Sequence, residues 1–213
     1  MRYKAILFDM DGTLLDTLTD MADAVNHILS VHGWPLRTIE EVRAFVGNGA
    51  RRLMERAVPP EVTGGDFEAV LTEYRDWYQA HNCVATAPYP GIPVLLAALA
   101  EAGVKTAVVS NKPDATTKTL AARFFPGLPA FGQRDDVPPK PAPDLVFRAL
   151  ETLGVDAADA VYVGDSEVDV ATARNAGLPL AAVSWGFRGR RALAEAGAAV
   201  IVDTAAELLE VLQ

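Results

Sequence analysis

From about residue 90 onward, two kinds of apolar run alternate along the chain, and this alternation constrains the fold more than any other feature of the sequence. Short runs rich in β-branched residues predict strands, and runs with apolar residues three and four positions apart predict helices. The predicted strands cover residues 104–109, 160–163, 180–183 and 199–202, and the predicted helices cover residues 92–102, 114–125, 144–153, 167–176 and 204–212. Strands that alternate with helices are typical of right-handed crossovers and a mostly parallel sheet. We therefore expect an α/β fold with a Rossmann-like core.

A further strand of this sheet is predicted near the start of the chain, at residues 5–9, but a helical block separates it from the others. Between about residues 19 and 82 the apolar positions share helical faces and give little strand signal. Prolines and a glycine at 88–91 indicate a linker after this block. We expect a Rossmann-like core formed by residues 1–15 and 86–213, with an α-helical cap domain, residues 16–85, inserted into it.

The composition limits which binding partners and which cell compartment are expected. The 213 residues are half hydrophobic, which is enough to bury a full core, and the net charge of -9 argues against nucleic acid as a partner. Cys83 is the only cysteine, so no intrachain disulfide can form and a reducing compartment is expected. No apolar run approaches the ~18 residues of a membrane helix. We expect a soluble, cytoplasmic protein without a membrane partner, and the sequence leaves open whether it is a monomer or a homodimer.

Two carboxylates, Asp9 and Asp11, follow directly after the first predicted strand, and Gly12 and Thr13 come next. The carboxyl end of a strand is where open α/β sheets place their chemistry. Like charges two residues apart repel each other, and a bound cation or a shared proton removes that repulsion. An N-cap residue beside a turn residue is the structural alternative, and this segment alone favours neither.

Three later segments place polar side chains at other strand ends of the same sheet. Ser110 and Asn111 follow the second core strand, Lys140 lies in a proline-rich segment before a helix, and Asp165 and Asp169 follow the strand that ends at Val163. Each segment alone has an ordinary explanation as a turn, a solvated lysine or a helix cap. Together they supply carboxylates for a metal, a hydroxyl and an amide for oxygen atoms, and one cation.

These four segments, in this order, resemble the four motifs of the haloacid dehalogenase superfamily of phosphotransferases. The matching string is Asp9-x-Asp11-Gly12-Thr13, then Ser110, Lys140 and Gly164-Asp165-x-x-x-Asp169. The resemblance extends over the whole chain, because the helical block between the first and second motifs corresponds to a helical cap. It implies a phosphoric monoester hydrolase that works through an aspartyl-phosphate intermediate.

The resemblance also implies roles for the motif residues. Asp9 would be the nucleophile, and Mg²⁺, which prefers hard oxygen ligands, would be held by the Asp9 carboxylate, the Asp11 backbone carbonyl and Asp165. Asp169 would bind a metal-bound water or orient Lys140. Ser110, amides near Asn111, and Lys140 would stabilise the charge on the phosphoryl oxygens. The three histidines, His27, His32 and His81, all lie in the helical block, which leaves Asp11 as the general acid and base.

The cap is expected to select the substrate. Its most distinctive piece runs from Gly47 through Gly49 to Arg51 and Arg52, and backbone amides at a helix start beside an arginine could hold a carboxylate. Solvated arginines after a glycine-rich loop are an equally good explanation. With residues 110–112 this piece resembles bacterial phosphoglycolate phosphatases, in which case Arg51 or Arg52 would bind the glycolate carboxylate and Asp16 and Thr17 could line the closed site.

The first expectation is therefore hydrolysis of 2-phosphoglycolate or a similar small acidic phosphate ester. A sugar phosphomutase, or a phosphatase acting on a sugar phosphate, a nucleotide or pyrophosphate, is the alternative. Dehalogenases lack the second motif-one aspartate and phosphonatases replace it, so Asp11 argues against both. A non-catalytic phosphate-binding protein would be expected to have lost a catalytic carboxylate, and none is lost here.

Overall fold

The computed structural model describes residues 2–213, and within them the chain forms eight strands, ten α-helices and one short 3-10 helix. The strands are β1 (Ala5–Phe8), β2 (Leu15–Asp16), β3 (Ala87–Pro88), β4 (Lys105–Pro113), β5 (Ala130–Gln133), β6 (Ala160–Gly164), β7 (Leu180–Val183) and β8 (Ile201–Val202). The helices are α1 (Leu18–Val31), α2 (Ile39–Phe45), α3 (Gly49–Ala57), α4 (Gly64–His81), α5 (Ile92–Glu101), α6 (Asp114–Phe124), α7 (Asp144–Leu153), α8 (Glu167–Ala176), α9 (Gly189–Glu195) and α10 (Ala205–Leu212).

Six of the strands form one parallel sheet in the order β5-β4-β1-β6-β7-β8. Strand β1 is central, and its last residue, Phe8, is aligned with Val108 of β4 and Val163 of β6. The carboxyl ends of β1, β4 and β6 therefore meet at one edge of the sheet. This architecture confirms the predicted α/β fold with a mostly parallel sheet.

Helices cover both faces of the sheet because its central strands are apolar on both sides. Ile6 and Phe8 of β1 pack on one face in a cluster with residues of α5 and α10, and Ala5 and Leu7 pack on the other face with residues of α7. All four side chains of β1 are buried. The strand that carries Asp9 is thus fixed from both sides.

Helices α1 to α4 form the inserted block, which has an apolar cluster of its own. The chain enters this block after β2 and leaves it before β3, and these two short strands pair antiparallel through Leu15 with Pro88 and Asp16 with Ala87. A two-stranded connection thus joins the helical block to the sheet. The division into a core and a cap at the predicted boundaries remains a prediction.

Of the strands in the six-stranded sheet and the helices around it, β5 and α9 had no prediction from the sequence. Strand β5 includes Gly132 and has no β-branched residue, and α9 has only seven residues, so neither gives a clear strand or helix signal. Strand β4 also continues to Pro113 with a register shift after Val109, so residues 110–112 lie in the strand rather than after it. Within residues 2–213, no helix has the length and apolar character needed to cross a membrane.

Candidate active site

Three buried carboxylates lie together at the carboxyl edge of the sheet. One oxygen each from Asp9, Asp165 and Asp169 lies within 4.8 Å of the others. Gly12 allows the chain to turn beside them at φ +84°, because a Cβ atom there would lie 2.4 Å from Asp165 Oδ2. The glycine of the first motif is therefore required both by its backbone angle and by the space it leaves for Asp165.

Lys140 lies among these carboxylates and is itself buried, with 3% of its surface exposed. Its Nζ lies 2.9 Å from Asp9 Oδ1 and 2.8 Å from Asp169 Oδ1, and it donates to Tyr162 Oη at 3.0 Å. Burial alone would lower the pKa of the Lys140 ammonium, but the two carboxylates outweigh burial and hold it well above its ordinary value. Lys140 is therefore a fixed positive charge at the site.

Burial has the opposite effect on the carboxylates. It raises the pKa of Asp9 to about 7, although the charge of Lys140 acts against this rise. Burial and repulsion from Asp169 and Asp9 also raise the pKa of Asp165 well above its usual range. Burial and the nearby like charges thus disfavour the anionic forms of Asp9 and Asp165, and a cation bound between them would reduce this cost.

Asp169 has its oxygens engaged by neighbouring residues. Oδ1 accepts from Lys140, while Oδ2 accepts from the Ser166 amide at 3.1 Å and the Ser166 hydroxyl at 2.6 Å. Asp169 and Ser166 together form the capping box of α8. Of the two predicted roles for Asp169, these contacts favour orienting Lys140.

Asp11 has a different set of partners. Its Oδ1 accepts from Thr17 Oγ1 at 2.8 Å, and both of its oxygens lie 3.0 Å from Lys112 Nζ. Lys112 is buried and lies over the ring of Tyr78, 4.6 Å from its centroid. The sequence analysis gave Lys112 no role, although a lysine directly after the second motif was a visible signal.

Ser110 and Asn111 lie in the last part of β4, and both are buried. Asn111 Oδ1 accepts from the Lys140 amide at 2.7 Å, and Asn111 Nδ2 donates to the Lys140 carbonyl at 3.0 Å. The Asn111 side chain thus holds the backbone on both sides of the Lys140 side chain. Ser110 Oγ accepts from the Lys112 amide at 3.2 Å.

A cavity of about 340 Å³ lies between this edge of the sheet and the helical block. Its floor is made by the motif residues Asp9, Asp11, Ser110, Asn111, Lys112 and Asp165. Much of its opposite wall is apolar or aromatic and is made by Met21, Val46, Ala50, Leu53, Tyr74 and Tyr78, with Phe187 reaching in from the core. Arg75 and Arg188 are the arginines that line it among the described residues.

The residues predicted to line the closed site are only partly brought together. Gly49 lines the cavity and Thr17 bonds Asp11, whereas Asp16 is exposed and accepts from the Leu18 amide at 3.3 Å. Arg51 and Arg52 do not line the cavity. Arg51 makes two hydrogen bonds to Glu68, at 2.8 and 2.7 Å, and Arg52 makes one to Glu55 at 2.7 Å, all on the exposed surface.

Residues 185–188, which follow β7 and have no role predicted from the sequence, lie at the site. Trp185 Nε1 donates to the Thr13 carbonyl at 3.1 Å, and the Phe187 amide donates to Asp165 Oδ2 at 2.8 Å. At Gly186 a Cβ atom would lie 2.3 Å from the Gly12 carbonyl oxygen. The segment therefore packs directly against the first and fourth motifs.

Comparisons with known proteins agree with this geometry. Residues 6–183 match the family described as haloacid dehalogenase-like hydrolase. The N-acetylmuramic acid 6-phosphate phosphatase of Pseudomonas aeruginosa is 36% identical, with an alignment that covers 100% of this chain and 96% of that protein. The phosphoglycolate phosphatase of Pseudomonas savastanoi pv. phaseolicola is 35% identical, over 97% of this chain and 78% of its own length.

Solved structures give the same result. A crystal structure from Lactobacillus delbrueckii subsp. bulgaricus, of a protein provisionally described as a phosphoglycolate phosphatase, superposes with a TM-score of 0.94 and is 38% identical. That alignment covers 100% of this chain and 99% of the other. The prediction made from the four motifs is confirmed: the chain belongs to the haloacid dehalogenase-like hydrolase family.

Proposed function

We propose that this protein is a Mg²⁺-dependent phosphomonoester hydrolase that works through an aspartyl phosphate on Asp9. The observation that carries the proposal is the pairing at the cavity floor, where Asp9 lies 2.9 Å from Lys140 while Asp11 is paired separately with Lys112. One carboxylate is thus available for attack and a second for proton transfer, and both face the same cavity.

In the first step, a carboxylate oxygen of Asp9 attacks phosphorus and the bond from phosphorus to the leaving-group oxygen breaks. Asp11, protonated in the substrate complex, gives its proton to that oxygen, so the leaving group departs with a neutral hydroxyl group. In the second step, water attacks phosphorus, Asp11 takes a proton from the water, and the bond between phosphorus and Asp9 breaks. Phosphate is released and both carboxylates return to their initial states.

Lys140 and the end of β4 would bind the phosphoryl group. The Lys140 ammonium is held by Asp169 and Tyr162, so its position does not depend on the substrate. Ser110 lines the cavity beside Asp9, and Asn111 fixes the backbone of Lys140. Groups fixed before the reaction stabilise the charge on the transferred phosphoryl group without reorganisation.

The residues present fit a magnesium ion. Asp9 and Asp165 offer hard anionic oxygens, and burial raises the pKa of both, to about 7 for Asp9. These two carboxylates and the Asp11 backbone carbonyl would hold the ion. When bound, Mg²⁺ supplies positive charge that reduces the repulsion between the Asp9 carboxylate and a phosphate dianion.

Two substrates are favoured by specific observations. Several curated relatives, including the Pseudomonas savastanoi protein, are phosphoglycolate phosphatases, which supports 2-phosphoglycolate. The relative from Pseudomonas aeruginosa acts on N-acetylmuramic acid 6-phosphate, and the cavity of about 340 Å³ with its apolar wall has room for a leaving group larger than glycolate. Both esters carry a carboxylate, so the shared class is the phosphomonoester of a hydroxy acid.

The test is Mg²⁺-dependent release of phosphate from these two esters, hexose phosphates, nucleotides and pyrophosphate. Asp9→Asn, which keeps the shape of the side chain and removes the nucleophilic oxygen, serves as the matched blank. We expect kcat/KM for one of the two acidic esters to exceed the rest of the panel by at least ~10-fold, and the variant to release no phosphate while keeping its far-UV circular dichroism. Turnover by the folded variant, or no turnover by the native enzyme, would contradict the proposal.

A further inference from the structure

Arg188 lies at the contact between the sheet and the helical block. It follows β7 in the core, but its guanidinium reaches the end of α2 in the inserted block. We infer that Arg188 is a positioning residue, which holds residues 46–49 of the helical block over the carboxylate cluster. The effect of Arg188 on catalysis rests on the proposed function, whereas its structural role rests on the contacts of Arg188 alone.

The hydrogen bonds of Arg188 connect the two parts of the molecule. Nη1 donates to the Arg43 carbonyl at 2.8 Å and Nη2 to the Val46 carbonyl at 2.5 Å, while Nε donates to Glu167 Oε2 at 2.9 Å. The last carbonyls of a helix have no partner within the helix and form its negative end, so a guanidinium suits this position. Because Glu167 is the first residue of α8, one side chain joins α2 to the helix that carries Asp169.

The chain that follows α2 is held closely between two core residues. Gly47 approaches Arg188 so closely that a Cβ atom on it would lie 3.1 Å from Nη2, and its carbonyl accepts from Asn111 Nδ2 at 3.3 Å. At Gly49 a Cβ atom would lie 3.2 Å from the Asn111 carbonyl oxygen. Gly47 and Gly49 also line the cavity. The position of the cavity wall above Asp9 therefore depends on the contact with Arg188.

The residue before Arg188 extends this connection to the proposed metal site. The Phe187 amide donates to Asp165, and the Phe187 ring packs against the apolar cluster of the helical block. One dipeptide thus contacts both a carboxylate of the cluster and the block that covers it. Displacing the end of α2 is expected to disturb the active site even though neither Arg43 nor Val46 belongs to a motif.

Binding of a substrate carboxylate is the competing role for Arg188, since its side chain lines the cavity. The two roles predict different kinetics. A residue that positions the cavity wall affects every substrate, whereas a residue that binds the carboxylate affects only acidic substrates. The bonds from Arg188 to two carbonyls and to Glu167 favour the first role.

The test compares Arg188→Met and Arg188→Lys with Arg191→Met, a control three residues further along the chain, on α9, whose side chain is 92% exposed. Amide hydrogen exchange is measured across residues 43–49 in the metal-free and Mg²⁺-loaded protein. We expect Arg188→Met to raise exchange there by on the order of 10-fold or more, because two charge-assisted hydrogen bonds are lost. Arg188→Lys, which keeps the charge, should show a smaller rise, and Arg191→Met none.

Kinetics with 2-phosphoglycolate and p-nitrophenyl phosphate complete the test. We expect Arg188→Met to lower kcat/KM for both by a similar factor. Unchanged exchange at residues 43–49, or a loss confined to the carboxylate-bearing ester, would overturn the inference. Since exchange needs no turnover, faster exchange in an enzyme that hydrolyses no phosphomonoester would refute the proposed function and leave the positioning contact supported.

Discussion

At the scale of single residues, the two neighbouring aspartates of the first motif contact different lysines. Asp9 shares Lys140 with Asp169, and Asp11 pairs with Lys112 and accepts from Thr17. Identical side chains two positions apart thereby acquire different surroundings. Such a difference is required if one is to attack phosphorus while the other transfers protons.

Removing Lys112 should destabilise the protein more than removing both members of its pair. Lys112→Met leaves the Asp11 carboxylate without its cation, and because that carboxylate is partly exposed we expect a loss of about 1–3 kcal/mol, below the cost of breaking a fully buried pair. The double variant Asp11→Asn/Lys112→Met leaves no uncompensated charge and should recover at least half of that loss. Urea unfolding of the two single variants and the double variant measures the coupling. Additive effects would show that the 3.0 Å contact contributes nothing to folding.

Arg75 and Arg51 offer a matched comparison for recognition of a carboxylate. Both lie on exposed parts of the helical block, but Arg75 lines the cavity and Arg51 is paired with Glu68 outside it. We expect Arg75→Ala to raise KM for 2-phosphoglycolate several-fold more than for p-nitrophenyl phosphate, and Arg51→Ala to change neither. The opposite result would favour the assignment of Arg51 made from the sequence, in which this residue binds the substrate carboxylate.

At the scale of elements, helices and strands were predicted best where the sequence has a long hydrophobic period or a clear terminating residue. The predicted helix 167–176 agrees with α8 at both ends, because Ser166 caps it and Gly177 terminates it at φ +70°. Strand β5 was not predicted, since it contains Gly132 and no β-branched residue and its place at the sheet edge depends on pairing with distant β4. Lys112 was seen without a role for a similar reason. Its partner lies 101 residues away.

One buried carboxylate that the sequence analysis did not identify supports the connection between the sheet and the helical block. Asp20 on α1 accepts from the amides of Val84, Ala85 and Thr86 at 2.8 to 3.0 Å and from the Thr86 hydroxyl at 2.7 Å. It therefore fixes the segment by which the chain leaves the block. A carboxylate surrounded by backbone donors leaves no marker in local sequence.

Asp20→Ala should destabilise the protein by about 3 kcal/mol or more, because it removes an acceptor shared by four buried or partly buried donors. Asp20→Asn retains one oxygen acceptor and should cost less. Urea unfolding gives both values, and Asp23→Ala, an exposed position on the same helix, is the control. A loss for Asp20→Ala no larger than that of the control would mean that these bonds do not hold the connection in solution.

At the scale of the whole molecule, the site is assembled from residues spread along most of the chain. Parallel strands bring residues 9, 110 and 165 to one edge, so the motif order and the alternation of strands and helices predicted most of the cavity floor, although not Lys112. The opposite wall was predicted less well. Which face of each helix of the inserted block turns toward the sheet depends on helix packing, and that packing directs Arg51 to Glu68 and Arg75 to the cavity.

The buried carboxylates at the site should also make the stability of the whole molecule depend on magnesium. Burial raises the pKa of Asp9 and Asp165, so holding both as anions disfavours the metal-free fold at neutral pH. A ligand that binds only the folded state stabilises it by about 2.7 kcal/mol at a hundred times its Kd. For a chain of this size we expect Mg²⁺ to raise Tm by roughly 5–10 °C.

Thermal unfolding monitored by circular dichroism, with EDTA and then with a Mg²⁺ titration, measures this increment. Asp165→Asn removes one of the two carboxylates proposed to hold the ion, so this variant should lose most of the rise in Tm. Asp135→Asn, at an exposed position outside the carboxylate cluster, should keep the rise. An equal rise in Tm for all three proteins would place the ion elsewhere. Because unfolding is measured without substrate, the result tests the metal site independently of catalysis.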